Sequence, residues 1–186
     1  MFSGGQLTIR GEAPDSWTIA CDAAAKVVVN GANVPVGNAK LGCDHVNVID
    51  IVDGRIEQPG AATIDLRGVK GPAFSHMVRT SIVANGYGGN TIYGSEFSDA
   101  IGSVETALIN GRGGNDTTYF GPTSIGGALI HGGAGNDSIA GNAQLAKVYG
   151  DAGDDSIGFA EHGALQEWFG GRAMTPSDLG PSSPRI

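Results

Sequence analysis

The chain has 186 residues and a formal charge of −8, with 16 % charged residues, 6 % aromatics and 32 glycines. That length fits one domain, and the acidic balance offers no basic stripe for phosphates, which disfavours nucleic acid as a partner. Glycine far above its usual ~7 % without a collagen triplet implies many tight turns, and few aromatics imply a core built as a thin ladder of aliphatics.

The N-terminus, MFSGGQLTIRGE, lacks the charged and apolar regions of a Sec-type signal peptide, and no apolar run reaches membrane-spanning length. Residues 6–21 (QLTIR, then SWTIAC) read as a pair of capping strands. Val28, Val46, Ile64 and Ile82 then follow one another at eighteen-residue intervals, and several of these runs end at glycine, as at Gly31, Gly54, Gly68 and Gly86. In residues 62–66, Ile64 and Leu66 alternate with Asp65 and Arg67, as a strand with one buried face requires. We read residues 1–85 as a cap followed by metal-free coils of a parallel β-solenoid. A small antiparallel domain over residues 6–70 is the alternative. Cys21 and Cys43 admit either a disulfide in an oxidising compartment or two buried thiols.

From residue 86 a shorter repeat emerges. Residues 86–93 read GYGGNTIY, 94–102 read GSEFSDAIG and 111–119 read GRGGNDTTY. Residues 132–158 comprise three nine-residue units in register: GGAGNDSIA, GNAQLAKVY and GDAGDDSIG. Asp99, Asp116, Asp137 and Asp155 share one position of the unit, at separations of 17, 21 and 18 residues. Spacing near eighteen stacks them along one edge of a solenoid. The intervening units carry Ala107, a glycine near Gly126 and Ala146 there, so the opposite edge should lack acids. Ile101, Thr118, Ile139 and Ile157 should line one sheet, and Ile92, Ile109, Ile130 and Val148 the other. Residues 159–186 read as a C-terminal cap, with a short helix over 159–169, and a loose tail.

The first and third of those units fit G-G-x-G-x-D-x-U-x, where U is a large apolar residue, and depart from it only at Asp151. This pattern resembles the RTX nonapeptide, the calcium-binding repeat of secreted bacterial toxins, proteases and lipases. The resemblance covers residues 86–158. It implies an all-β fold, a right-handed parallel β-solenoid (β-roll) of about 18 residues per coil, RTX-type in the C-terminal half. It also implies Ca2+ between stacked turns, about two or three ions on one edge, at sites 99/116, 116/137 and 137/155. The ligands would be Asp99, Asp116, Asp137 and Asp155, with backbone carbonyls around Gly111, Gly113, Gly132, Ala134, Gly135, Gly150, Ala152 and Gly153. Glycine-rich loops and carboxylates suit a hard cation that takes six to eight oxygens. The 99/116 site is the weakest, because Glu96 and Phe97 replace small residues.

The resemblance further implies an extracellular structural or interaction protein without catalysis of its own, exported without a Sec signal, for instance by a one-step system. A polysaccharide or another protein is the partner class it suggests. The competing reading is a carbohydrate-active lyase or epimerase that uses Asp65 and Arg67 on an exposed sheet face, with His76 and Arg79 half a coil away. His45, His131 and His162 show no metal-ligand spacing. Thr63, Thr80, Thr91, Thr117 and Thr118 do not repeat regularly enough for an ice-binding face.

Overall fold

The computed structural model describes residues 1–11, 16–53, 60–121, 127–141, 146–159 and 166–169. Short runs rich in Ile, Val and Thr, punctuated by glycine, become strands that alternate between two parallel-stranded sheets. The first sheet stacks Gln6–Gly11, Val48–Asp53, Arg79–Ala84, Ser98–Ser103, Thr117–Phe120, Ser138–Gly141 and Ser156–Phe159. The second stacks Ser16–Cys21, Thr63–Gly68, Asn90–Tyr93, Thr106–Asn110, Ala128–Ala134, Ala146–Ala152 and Gln166–Phe169. Pairing runs unbroken across residue 85, because Arg79–Ala84 bonds both Val48–Asp53 and Ser98–Ser103.

The inward side chains form continuous columns. Ile9, Ile51, Ile82, Ile101, Thr118, Ile139 and Ile157 are successive register partners in the first sheet. Ile64, Ile92, Ile109, Ile130 and Val148 are partners in the second, and all five are fully buried. The two ladders face each other, as the alternation of apolar and polar residues dictates. Burying each aliphatic contributes about 1.5–3 kcal/mol, and strands lie about 4.8 Å apart, so the core is long and thin. Aromatic bulk enters at Phe120, which is fully buried and packs where Gly141 carries no side chain.

The N-terminal end departs from the simple rhythm. Residues 6–21 are not a cap pair; their two strands begin the two parallel sheets. The cap consists of antiparallel strands instead: Phe2–Ser3 pairs with Gln6–Gly11, and Val27–Val29 pairs with Ser16–Cys21. Val27–Val29 turns back into Ala32–Asn33 through Asn30 and Gly31, both at positive φ (51° and 78°), the geometry of a two-residue Asn-Gly hairpin. Val28 therefore lies in an excursion outside the coils, and Val46 precedes its coil strand instead of lying in it. A disulfide between Cys21 and Cys43 (Cα–Cα 6.0 Å) closes this excursion. The antiparallel alternative for residues 6–70 fails, because Gln6–Gly11, Ser16–Cys21, Val48–Asp53 and Thr63–Gly68 all pair in parallel with their coil neighbours. At the other end, Gln166–Phe169 is a strand parallel to Ala146–Ala152, where a helix was expected. Trp168 pairs in register with Val148 and Phe169 with Tyr149. The tail beyond them lies outside the described residues.

The alternation has a direct test in two adjacent residues. Ile130 is fully buried and Leu129 is 37 % exposed on the outer face. Ile130→Ala should cost about 2–5 kcal/mol, and Leu129→Ala less than about 0.5 kcal/mol. Urea unfolding of both variants measures this, and equal losses would contradict the assigned faces.

Candidate metal centre

One inward column changes chemistry along its length. Leu7, Ile49 and Thr80 are successive partners in the first sheet, and Thr80 pairs with Asp99. Asp116, Asp137 and Asp155 continue the column, and all four aspartates are 2 % exposed. The first half thus fills this column with two aliphatics and then a threonine, and the second half fills it with carboxylates at the turn leading from the second sheet back to the first.

Each carboxylate supports the coil before it. Asp116 Oδ1 accepts the Asp99 N–H (2.8 Å), Asp137 Oδ1 that of Asp116 (2.8 Å), and Asp155 Oδ1 that of Asp137 (2.9 Å). A second ladder runs beside it in the opposite sense. Asn115 Oδ1 accepts the Asn136 N–H (2.8 Å), and Asn136 Oδ1 that of Asp154 (3.0 Å). The repeated Asn-Asp, Asn-Asp, Asp-Asp pairs of the sequence carry this second ladder. It becomes legible once both residues of each pair are given a coil neighbour.

The second oxygens stand differently. Oδ2 of Asp116, Asp137 and Asp155 is buried and has no hydrogen-bond partner. Each lies in the space that a glycine leaves open. A Cβ on Gly111 would collide with Asp116 Oδ2 and the Gly132 carbonyl, and a Cβ on Gly132 would collide with Asp137 Oδ2 and crowd the Gly150 carbonyl. A Cβ on Gly150 would collide with Asp155 Oδ2. The first glycine of each unit is therefore demanded by space, and none of these three has positive φ. Left-handed backbone occurs at the second and fourth positions: Arg112, Gly133 and Asp151 (φ 78°, 112°, 67°), then Gly114, Gly135 and Gly153 (φ 101°, 135°, 138°). Arg112 and Asp151 adopt this conformation without the freedom of glycine.

Four of the expected carbonyl ligands divide into two groups. Those of Gly132 and Gly150 sit beside the unpartnered carboxylate oxygens. Those of Ala134 and Ala152 accept N–H groups of the preceding coil, from Gly114 (2.9 Å) and Gly135 (2.8 Å). The Gly111 carbonyl approaches Asp99 Oδ2 across Gly94, the Gly113 N–H reaches the Ser95 carbonyl (3.3 Å), and the Gly135 carbonyl packs against Gly153. Among the described residues, no three His, Cys, Asp or Glu side chains converge as a ready-made metal cluster. Any cation here would rely on carboxylates from successive coils together with backbone carbonyls, a donor set suited to calcium.

Comparison with protein-family models, with curated proteins and with solved structures finds no match.

The chemistry of the site is a problem of buried charge. Burial pushes the Asp116 carboxyl up to about 8, and the Asp99 and Asp137 charges push in the same direction. Burial raises Asp99 to about 6 against the lowering effect of hydrogen bonds from Thr80 and Ser95. Asp137 is raised by burial and by the Asp155 and Asp151 charges. Like charges in a poorly solvated column must take up protons or a cation.

The opposite edge meets the same need with an amide. Asn90 is fully buried; its Nδ2 donates to the carbonyls of Gly86 (2.9 Å) and Val104 (2.5 Å), and its Oδ1 accepts the Ala62 N–H (2.9 Å). The residues of the competing enzymatic reading are spread apart. Asp65 holds Arg67 through both carboxylate oxygens (2.9 and 2.6 Å), which keeps the Asp65 carboxyl low, and Arg67 lies 4.5 Å over Tyr93. Arg79 is in the other sheet, and His76 Nδ1 bonds the Asp44 carbonyl. Thr80 and Thr118 point inward. His131 stacks on Tyr149 (4.7 Å) and bonds Asp151 (2.9 Å).

The raised carboxyls set a pH dependence opposite to the usual one. Above about pH 4 the unfolded chain has released these protons and the folded chain has not, so stability falls as pH rises. The depressed Asp65 contributes in a different window, losing its share only as pH drops below 4. In chelator, the urea midpoint should therefore decline from about pH 4 and through pH 8, the range bounded by the ordinary carboxyl value and the raised Asp116 value, and level off only above it. A midpoint that is flat or rising over that window would show that the column is not a proton-holding cluster.

Proposed function

We propose that the protein is a calcium-binding module of the RTX β-roll type, in which Ca2+ between stacked turns completes the fold. The observation that carries this reading is the row of buried, unpartnered Oδ2 atoms on Asp116, Asp137 and Asp155, each facing a space kept open by a glycine. Asp116 with Asp137, and Asp137 with Asp155, would hold the ions, helped by the Gly132 and Gly150 carbonyls. A bound divalent cation supplies the positive charge that lets buried carboxylates remain ionised. Alternating strands in two parallel sheets, with acids 21 and 18 residues apart, support a β-roll with roughly one ion per pair of acidic turns.

The setting that fits is extracellular. The Cys21–Cys43 bridge suits an oxidising compartment, and weak carbonyl-rich calcium sites fill at the millimolar levels found outside cells. In that setting the role is structural: a rod whose stability is switched by calcium and whose outer faces contact a neighbouring protein or polysaccharide.

An ion that binds only the folded chain stabilises it by about 2.7 kcal/mol at one hundred times its Kd. Asp137 faces two ions and Asp155 one. Asp137→Ala should thus lose about 5 kcal/mol of the calcium-dependent increment, and Asp155→Ala about 3 kcal/mol, at that loading. Thermal melts of both variants with and without calcium read the increments directly. Equal increments would remove the stacked-ion arrangement, and no increment in the parent chain would remove the function.

A further inference from the structure

The four acidic turns are not equivalent. At Asp116, Asp137 and Asp155 the second residue of the turn is left-handed and Oδ2 has no partner. The turn at residues 94–99 has no left-handed residue, and its aspartate is fully engaged. Asp99 Oδ2 accepts the Ser95 N–H (2.7 Å), and Oδ1 accepts the hydroxyls of Ser95 (2.8 Å) and Thr80 (2.5 Å). The Ser95 hydroxyl also accepts the Phe97 N–H (3.0 Å), which fixes the turn internally. The Glu96 N–H ties the turn to the Val69 carbonyl of the preceding connection (3.1 Å).

We propose that Ser95 and Thr80 stand in for a cation at Asp99 and make this turn the fixed boundary of the calcium-dependent coils. This rests on the calcium reading above. Three hydrogen bonds to one buried carboxylate do there what an ion does further on; such charge-assisted bonds are the strong ones. The chain therefore binds two ions, not three, and residues up to Ser103 fold without them. Calcium-driven order then extends from this boundary toward the C-terminus, each coil templated by the one before it. In a stacked array, a coil contacts only its neighbours, which permits such one-directional growth.

Hydrogen exchange of the full chain, in EDTA and in millimolar calcium, reads the boundary, and calorimetry counts the ions. Amides of Val48–Asp53 and Arg79–Ala84 should be protected in EDTA and unchanged by calcium. Those of Ser98–Ser103 should be protected in EDTA too, with calcium adding protection at Asp99, whose N–H Asp116 holds. Those of Thr117–Phe120, Ser138–Gly141 and Ser156–Phe159 should gain protection, with two ions bound. Three ions, or calcium-dependent protection that also covers Arg79–Ala84, would overturn the boundary and leave calcium binding intact. No heat of binding would instead overturn the calcium reading itself. Thr80→Val keeps the shape and removes one donor. It should speed exchange of Ser98–Ser103 in EDTA about tenfold without altering the ion count, and exchange unchanged in this variant would show that Thr80 does not hold Asp99.

Discussion

Everything in the C-terminal half depends on placing a carboxylate where its first-half counterparts place a methyl group. The column Leu7, Ile49, Thr80, Asp99 is one structural position whose occupant passes from apolar through hydroxyl to acid. Asp116, Asp137 and Asp155 each use Oδ1 to hold the backbone of the coil before it. The consequence is a set of second oxygens left in a poorly solvated interior, where an ionised group without a partner is costly. A proton, a protein donor or a cation must answer each one; at Asp99 the Ser95 N–H meets Oδ2, while the Ser95 and Thr80 hydroxyls meet Oδ1.

The two edges show two solutions to gathering turn oxygens. Asn90 brings its own donors, and one amide draws together the carbonyls of Gly86 and Val104. An aspartate has no donor of its own, so its second oxygen needs one from a neighbour, as Asp99 finds in Ser95, or a proton or cation from solution. The asparagine turn therefore needs nothing from the medium, whereas the turns at Asp116, Asp137 and Asp155 leave Oδ2 without a protein partner.

Much of this was legible in the sequence, because glycine spacing and side-chain alternation are direct images of coil geometry. The ladders through Ile139 and Ile157, and through Ile130 and Val148, follow from counting alone. The excursion over residues 22–47 was not legible. Val28 and Val46 fall on the eighteen-residue rhythm by coincidence, and a β-branched run looks the same in a hairpin as in a coil. The Asp99 seal was hidden for another reason: Thr80 lies 19 residues away and becomes a partner only when the register of two coils is known. Glu96 and Phe97 flagged that turn as different. The physical difference resides in Ser95, whose hydroxyl and N–H occupy the carboxylate.

The most direct test of the account is a melt followed by far-UV circular dichroism at neutral pH, in EDTA, then in millimolar calcium, then in equal magnesium. Magnesium demands tighter octahedral geometry and gives up its water reluctantly, so it is the control for non-specific charge screening. The account predicts a higher midpoint in calcium and little change in magnesium. Superimposable curves in all three would contradict it and leave protons as the column's only counter-charge.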